Sequence, residues 1–139
     1  MANYYGKGRT NIFAVKDVAA LKAELEPREF TVEDRGEGKV CILSTDCEGE
    51  GDWSRTAYDE NGDLDEDAEP FYVPNMIAKH LQDGQVAVFQ HIGSEKLRYL
   101  EGRAEAVHSN GQQIRINLND IIDQARTQWN VSSISQVTY

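Results

Sequence analysis

Residues 86–118, VAVFQHIGSEKLRYLEGRAEAVHSNGQQIRINL, decide the fold. Residues 86–92 are apolar on both faces of an extended chain, which places that strand centrally in a sheet. Gly93, Ser94 and Glu95 read as a turn. Residues 97–107 form a long strand, bent near Gly102. Asn110-Gly111 is a hairpin signal, because that turn type needs positive φ. Ile114, Ile116 and Leu118 then alternate with Gln113, Arg115 and Asn117, the period of a half-buried strand.

Working outward, Asn119 is placed to cap a last helix with an inner face of Ile121, Ile122, Ala125 and Trp129. Upstream, Pro74 suits the first turn of a helix that buries Ile77 and Leu81 and stops at Gly84. Residues 30–33 and 39–45 read as strands joined by Arg35-Gly36-Glu37-Gly38. Before them, Asp17 caps a helix carrying Val18, Leu21 and Leu25 on one face, and Pro27 ends it. Ile12-Phe13-Ala14-Val15 reads as the first strand. Gly6-Lys7-Gly8 lacks the spacing of a phosphate loop and reads as a flexible N-terminal segment. Tyr4 and Tyr5 are expected to pack at a strand edge, with an exposed aromatic anchor as the alternative. The expected fold is α+β, a mostly antiparallel sheet with about three helices packed on it. The expected order is β-α-β-β, an acidic loop, then α-β-β-β-α. With 139 residues, 1–139 is expected to be one domain.

The net charge of −10 is not spread along the chain. Residues 46–69 hold eleven acids and one base, Arg55, which accounts for all of it. The remainder has 13 acids and 13 bases and is neutral. Like charges at this density repel one another and stay solvated. A loop this long is usually functional or mobile. Two readings follow: a solubilising segment, or a binding surface for a basic partner. On the second, the contact residues are Asp52, Trp53, Tyr58, Asp59, Glu60, Asp63, Asp65, Glu66, Asp67 and Glu69. Trp53 and Tyr58 are included because burial looks hard to arrange in so charged a stretch, and aromatics beside carboxylates suit an arginine-rich surface.

Other chemistry finds little footing. Asp59, Asn61 and Asp63 begin like a calcium loop, but Leu64 stands where the loop needs Gly and Pro70 where it needs Glu. His80, His91 and His108 lie in different elements without metal-ligand spacing. Cys41 and Cys47 read as free thiols, Cys41 in a buried strand. No nucleophile motif occurs, so neither catalysis, metal nor cofactor is expected. Direct nucleic-acid binding is disfavoured by the absence of a basic stripe. No run is long and apolar enough for a membrane span, and the first residues lack a secretory pattern, so a cytoplasmic location is expected.

Three stretches taken together, residues 10–17 (TNIFAVKD), 95–102 (EKLRYLEG) and 116–121 (INLNDI), carry a resemblance over nearly the whole chain. The sequence resembles small acidic accessory proteins carried by bacterial phages, plasmids and integrative elements. That resemblance implies a setting in which anti-CRISPR and anti-restriction inhibitors are common. It implies no catalytic residues. The competing expectation is an immunity-type, transfer or replication accessory domain whose acidic loop only solubilises.

Overall fold

The computed structural model describes residues 4–44, 51–56, 61–65, 67–95 and 99–137. Among them the elements run β1 (Tyr4–Thr10), β2 (Phe13–Ala14), α1 (Val18–Leu25), β3 (Phe30–Gly36), β4 (Lys39–Ser44), β5 (Ser54–Arg55), β6 (Phe71–Tyr72), α2 (Val73–Met76), β7 (Val86–Glu95), β8 (Tyr99–His108), β9 (Gln113–Asn117) and α3 (Asp120–Trp129). Short 3₁₀ turns follow α1 and α2. The fold is α+β, with three α-helices on a sheet whose strand pairs are all antiparallel.

One sheet holds seven strands. β4 takes β3 along one edge and both β1 and β2 along the other; β1 continues the sheet to β7, β8 and β9. The expected flexible N-terminus is thus an internal strand, paired with β7 from Tyr4↔Glu95 to Thr10↔Phe89. Its glycines have a packing reason rather than a flexibility reason. Residues 51–53 cross directly over β1 on the core side. A Cβ on Gly8 would meet the Trp53 ring at 3.1 Å and collide with the Gly51 carbonyl. Gly51 has φ +64°, and a Cβ there would lie 2.6–2.8 Å from the backbone of Gly6 and Lys7. Asn11 marks the break between β1 and β2. Its amide donates to Val86 O at 3.1 Å and its side-chain oxygen accepts the Val88 N–H at 2.8 Å, so β7 stays attached across the kink.

The helix and hairpin signals are realised locally. Asp17 accepts the Ala20 N–H at 3.2 Å and caps α1. Glu37 and Gly38 both take positive φ, 58° and 77°, in the turn between β3 and β4. Four expectations are corrected. Residues 93–95 are not a turn but the end of β7, held by pairing to β1 and β8. The second helix is only four residues before it tightens, and Leu81 sits in a bridge to Val15. α3 buries Ile122 alone; Ile121 and Trp129 are 64% and 69% exposed. Ile114, Ile116 and Leu118 are exposed, because α3 approaches their side of the sheet only at the Leu118 end.

The core lies on the other side. Phe13, Leu21, Leu25, Phe30, Ile42, Ile77, Leu81 and Phe89 are at most 2% exposed there. Trp53 lies among them, stacked on Phe30 at 5.8 Å and edge-on to Phe89 at 5.1 Å.

Candidate functional site

The acidic stretch is rooted in the core face of the sheet by residues 51–55. Trp53 is 1% exposed, and its indole N–H donates to Gln90 O at 3.3 Å. This corrects its assignment as an exposed anchor. The core has room for the indole because Gly8 below it has no side chain, so burial is available within a charged stretch. Ser54 and Arg55 then pair with Tyr72 and Phe71, closing the stretch back onto α2. Val73 N–H donates to Trp53 O at 3.0 Å at the same junction.

Arg55 is the stretch's only base, and among the described residues its hydrogen bonds go to neutral acceptors. It donates to the carbonyls of Arg28, Asp52 and Ser54 at 2.8–2.9 Å and to Ser44 Oγ at 3.1 Å. Its guanidinium also covers the Phe30 ring at 4.0 Å. The one local cation therefore pins backbone and aromatic surface, and forms no ion pair with the carboxylates among the described residues.

Asp52 is held differently. It pairs with Arg103 on β8 and accepts the Trp53 N–H at 2.7 Å. Arg103 also pairs with Glu101. Burial works against the guanidinium charge, but Asp52 and Glu101 outweigh it and raise the Arg103 pKa.

A polar cluster surrounds this root, and sequence reasoning missed it. His91 is 2% exposed on β7. Its Nδ1 donates to Gly51 O at 2.9 Å, since a carbonyl can only accept, and its Nε2 meets the Tyr4 hydroxyl at 2.5 Å. Burial, then the Glu101 carboxylate, pushes the Tyr4 phenol up to about 12. Glu105, 4% exposed, accepts from Tyr72 and forms a two-pronged pair with Arg115, 3.1 Å from Nε. Burial, then that carboxylate, raises Tyr72 to about 12. Period two along β7 and β8 could have found the cluster, because His91, Arg103 and Glu105 share the face of Phe89 and Val107. Both nitrogens of His91 are occupied within the protein, so this cluster fastens the 51–53 crossing to the sheet.

The remaining expected contact residues divide in two. Tyr58, Asp59, Glu60 and Glu66 lie outside the described residues. Asp63, Asp67 and Glu69 are exposed, and Asp65 is half-buried and accepts the Asp67 N–H at 3.1 Å. The structure thus separates a fastened root, Asp52 and Trp53, from surface carboxylates further along. Cys41 is a free, buried thiol; burial, then the neighbouring Glu33, raises its pKa.

Among the described residues no group of three His, Cys, Asp or Glu is placed to hold a metal ion. No helix there is long and apolar enough to cross a membrane. Compared with known proteins, the chain matches no protein-family model, no curated protein and no solved structure.

Proposed function

We propose that this chain is a mobile-element accessory protein that inhibits a bacterial host defence complex, of CRISPR or restriction type, by protein–protein contact. The acidic segment acts as a nucleic-acid-like surface for a basic partner, presenting Asp59, Glu60, Asp63, Asp65, Glu66, Asp67 and Glu69. Asp52 and Trp53 serve as its fastening rather than its contact surface. The reading involves no catalysis, cofactor or direct nucleic-acid binding, and it places the protein in the host cytoplasm.

The observation that carries it is the use of Arg55. Among the described residues, the only base in the acidic stretch donates to carbonyls and a hydroxyl and forms no ion pair with a carboxylate of that stretch. Duplex DNA carries one charge per about 1.7 Å of axis, and a basic channel built for it also attracts a dense run of carboxylates. The resemblance to phage and plasmid accessory proteins supports the setting.

The experiment is a binding measurement against purified CRISPR effector and restriction complexes at low and high salt. Wild-type protein is expected to bind one of them and to weaken at least tenfold between about 50 and 200 mM salt. Asp63→Asn, Asp65→Asn, Glu66→Gln and Asp67→Asn together should weaken it further. Binding indifferent to both salt and these substitutions sinks the reading, and leaves the acidic segment a solubilising one.

A further inference from the structure

On the side opposite the core, the part of the sheet formed by β7, β8 and β9 is apolar and largely uncovered. Cross-strand rows Gln90–Ala104–Ile116 and Val88–Ala106–Ile114 run over it without a charged side chain. Ile92 shares the face beside them, 64% exposed. Leu118 lies over Gly102, where a Cβ would come within 2.8 Å of its side chain. The surface continues from Leu118 and Leu100 to Ile121 through a groove of about 390 Å³ under α3, where Glu101, Asp120 and Asp123 add carboxylates to the lining. Lys7 and Arg9, opposite Ile92 and Gln90, border it on the β1 side.

Ile92, Leu100, Ile114, Ile116, Leu118 and Ile121 are each 54–74% exposed. Together they present on the order of 700 Å², above what a monomer usually leaves bare and close to the roughly 800 Å² per partner of a standard interface. We propose that this face is covered by the same face of a second copy of the chain.

Charge decides the occupant. Residues 51–53 cross the opposite face, so the acidic stretch departs from the far side of the sheet. Two copies joined by the rows of β7, β8 and β9 bring no charged side chain of those rows together and keep residues 51–53 of each copy, with Asp52, on the far side of its sheet. A strongly basic partner has no carboxylate row to meet on β7, β8 or β9 here. A two-fold contact asks only that the patch complement itself, which a broad aliphatic surface with a polar border does. The inference is independent of what the acidic segment binds.

The test is sedimentation equilibrium of the full chain from about 1 to 200 μM, a range that spans ordinary dimer affinities. The expected result is a shift from 15.6 kDa to twice that mass. Ile116→Lys and, separately, Ile114→Lys should each weaken the dimer at least tenfold, with circular dichroism unchanged because both side chains are already exposed. A wild-type chain that remains monomeric throughout overturns the proposal without recourse to any variant. So does a dimer that neither substitution affects.

Discussion

Replacing Trp53 by alanine separates two accounts of the acidic stretch. If the residue is a partner anchor, the substitution costs binding and little stability. Its 1% exposure, its stacking on Phe30 and its edge contact with Phe89 require the reverse. A buried Trp truncated to Ala costs about 3–5 kcal/mol, from lost transfer energy and an unfilled cavity. The lost indole bond to Gln90 O belongs within that range. Stability for a chain of this length is roughly 7–20 kcal/mol, so the variant should still fold but lose a large fraction of its margin. Urea unfolding followed by far-ultraviolet circular dichroism reads this as a lower midpoint with an unchanged slope. Trp129→Ala is the matched control; at 69% exposure it should stay within about 0.5 kcal/mol of wild type. A Trp53→Ala loss no larger than the control's would refute the core assignment.

Gly8→Ala tests the crossing of residues 51–53 over β1. In an open strand this change is favourable by about 0.5–1 kcal/mol; here the new methyl meets the Gly51 carbonyl and the Trp53 ring, and a loss of about 1–3 kcal/mol is expected in the same urea assay. Tyr4 and Tyr72 set an alkaline limit. Both are raised to about 12, whereas an unfolded tyrosine ionises near 10, so their contribution is full below about 10 and falls as pH rises toward 12. Melting temperatures from pH 9 to 12 should decline less steeply in Tyr72→Phe than in wild type, and an equal decline would contradict the assignment. Glu24 acts at the acid end. Burial works against its carboxylate, but hydrogen bonds from His80 and Lys79 hold its pKa below the usual value. Its contribution is therefore present above the ordinary carboxylate range and lost as pH falls through the lowered value, a drop that Glu24→Gln should flatten in acid melting curves.

Local signals carried the parts of the fold that local interactions build. Asp17 announced α1, the positive-φ pair Glu37-Gly38 sits within the expected turn, and alternation located β9. What escaped notice depends on partners far along the chain. β1 reads as a flexible segment because two glycines and a lysine at its centre carry no apolar period. Its strand character comes from β4 and β7 on its edges and from residues 51–53 lying across it. Trp53 misled for a related reason. Eleven acids around it argue for solvent, while its pocket is assembled from Gly8, Phe30 and Phe89 in three different strands. Of the candidate site, the charge concentration was legible in the sequence. The division into fastened root and outward carboxylates was not, because Arg103, His91 and Tyr4 reach it only through the sheet.

The internal place of β1 also sets an order of events during synthesis. β1 leaves the ribosome well before β7 yet is completed only with it, since Tyr4 pairs with Glu95 and Thr10 with Phe89. Until β7 emerges, one edge of β1 has no strand to join, and the segment that crosses it has no His91 to hold it. Refolding should therefore be governed by these distant pairings and fall toward the millisecond-to-second range of sheet-dominated chains. An order of synthesis that put residues 62–118 ahead of residues 4–44 would let β7, β8 and β9 form first and offer β1 a finished edge.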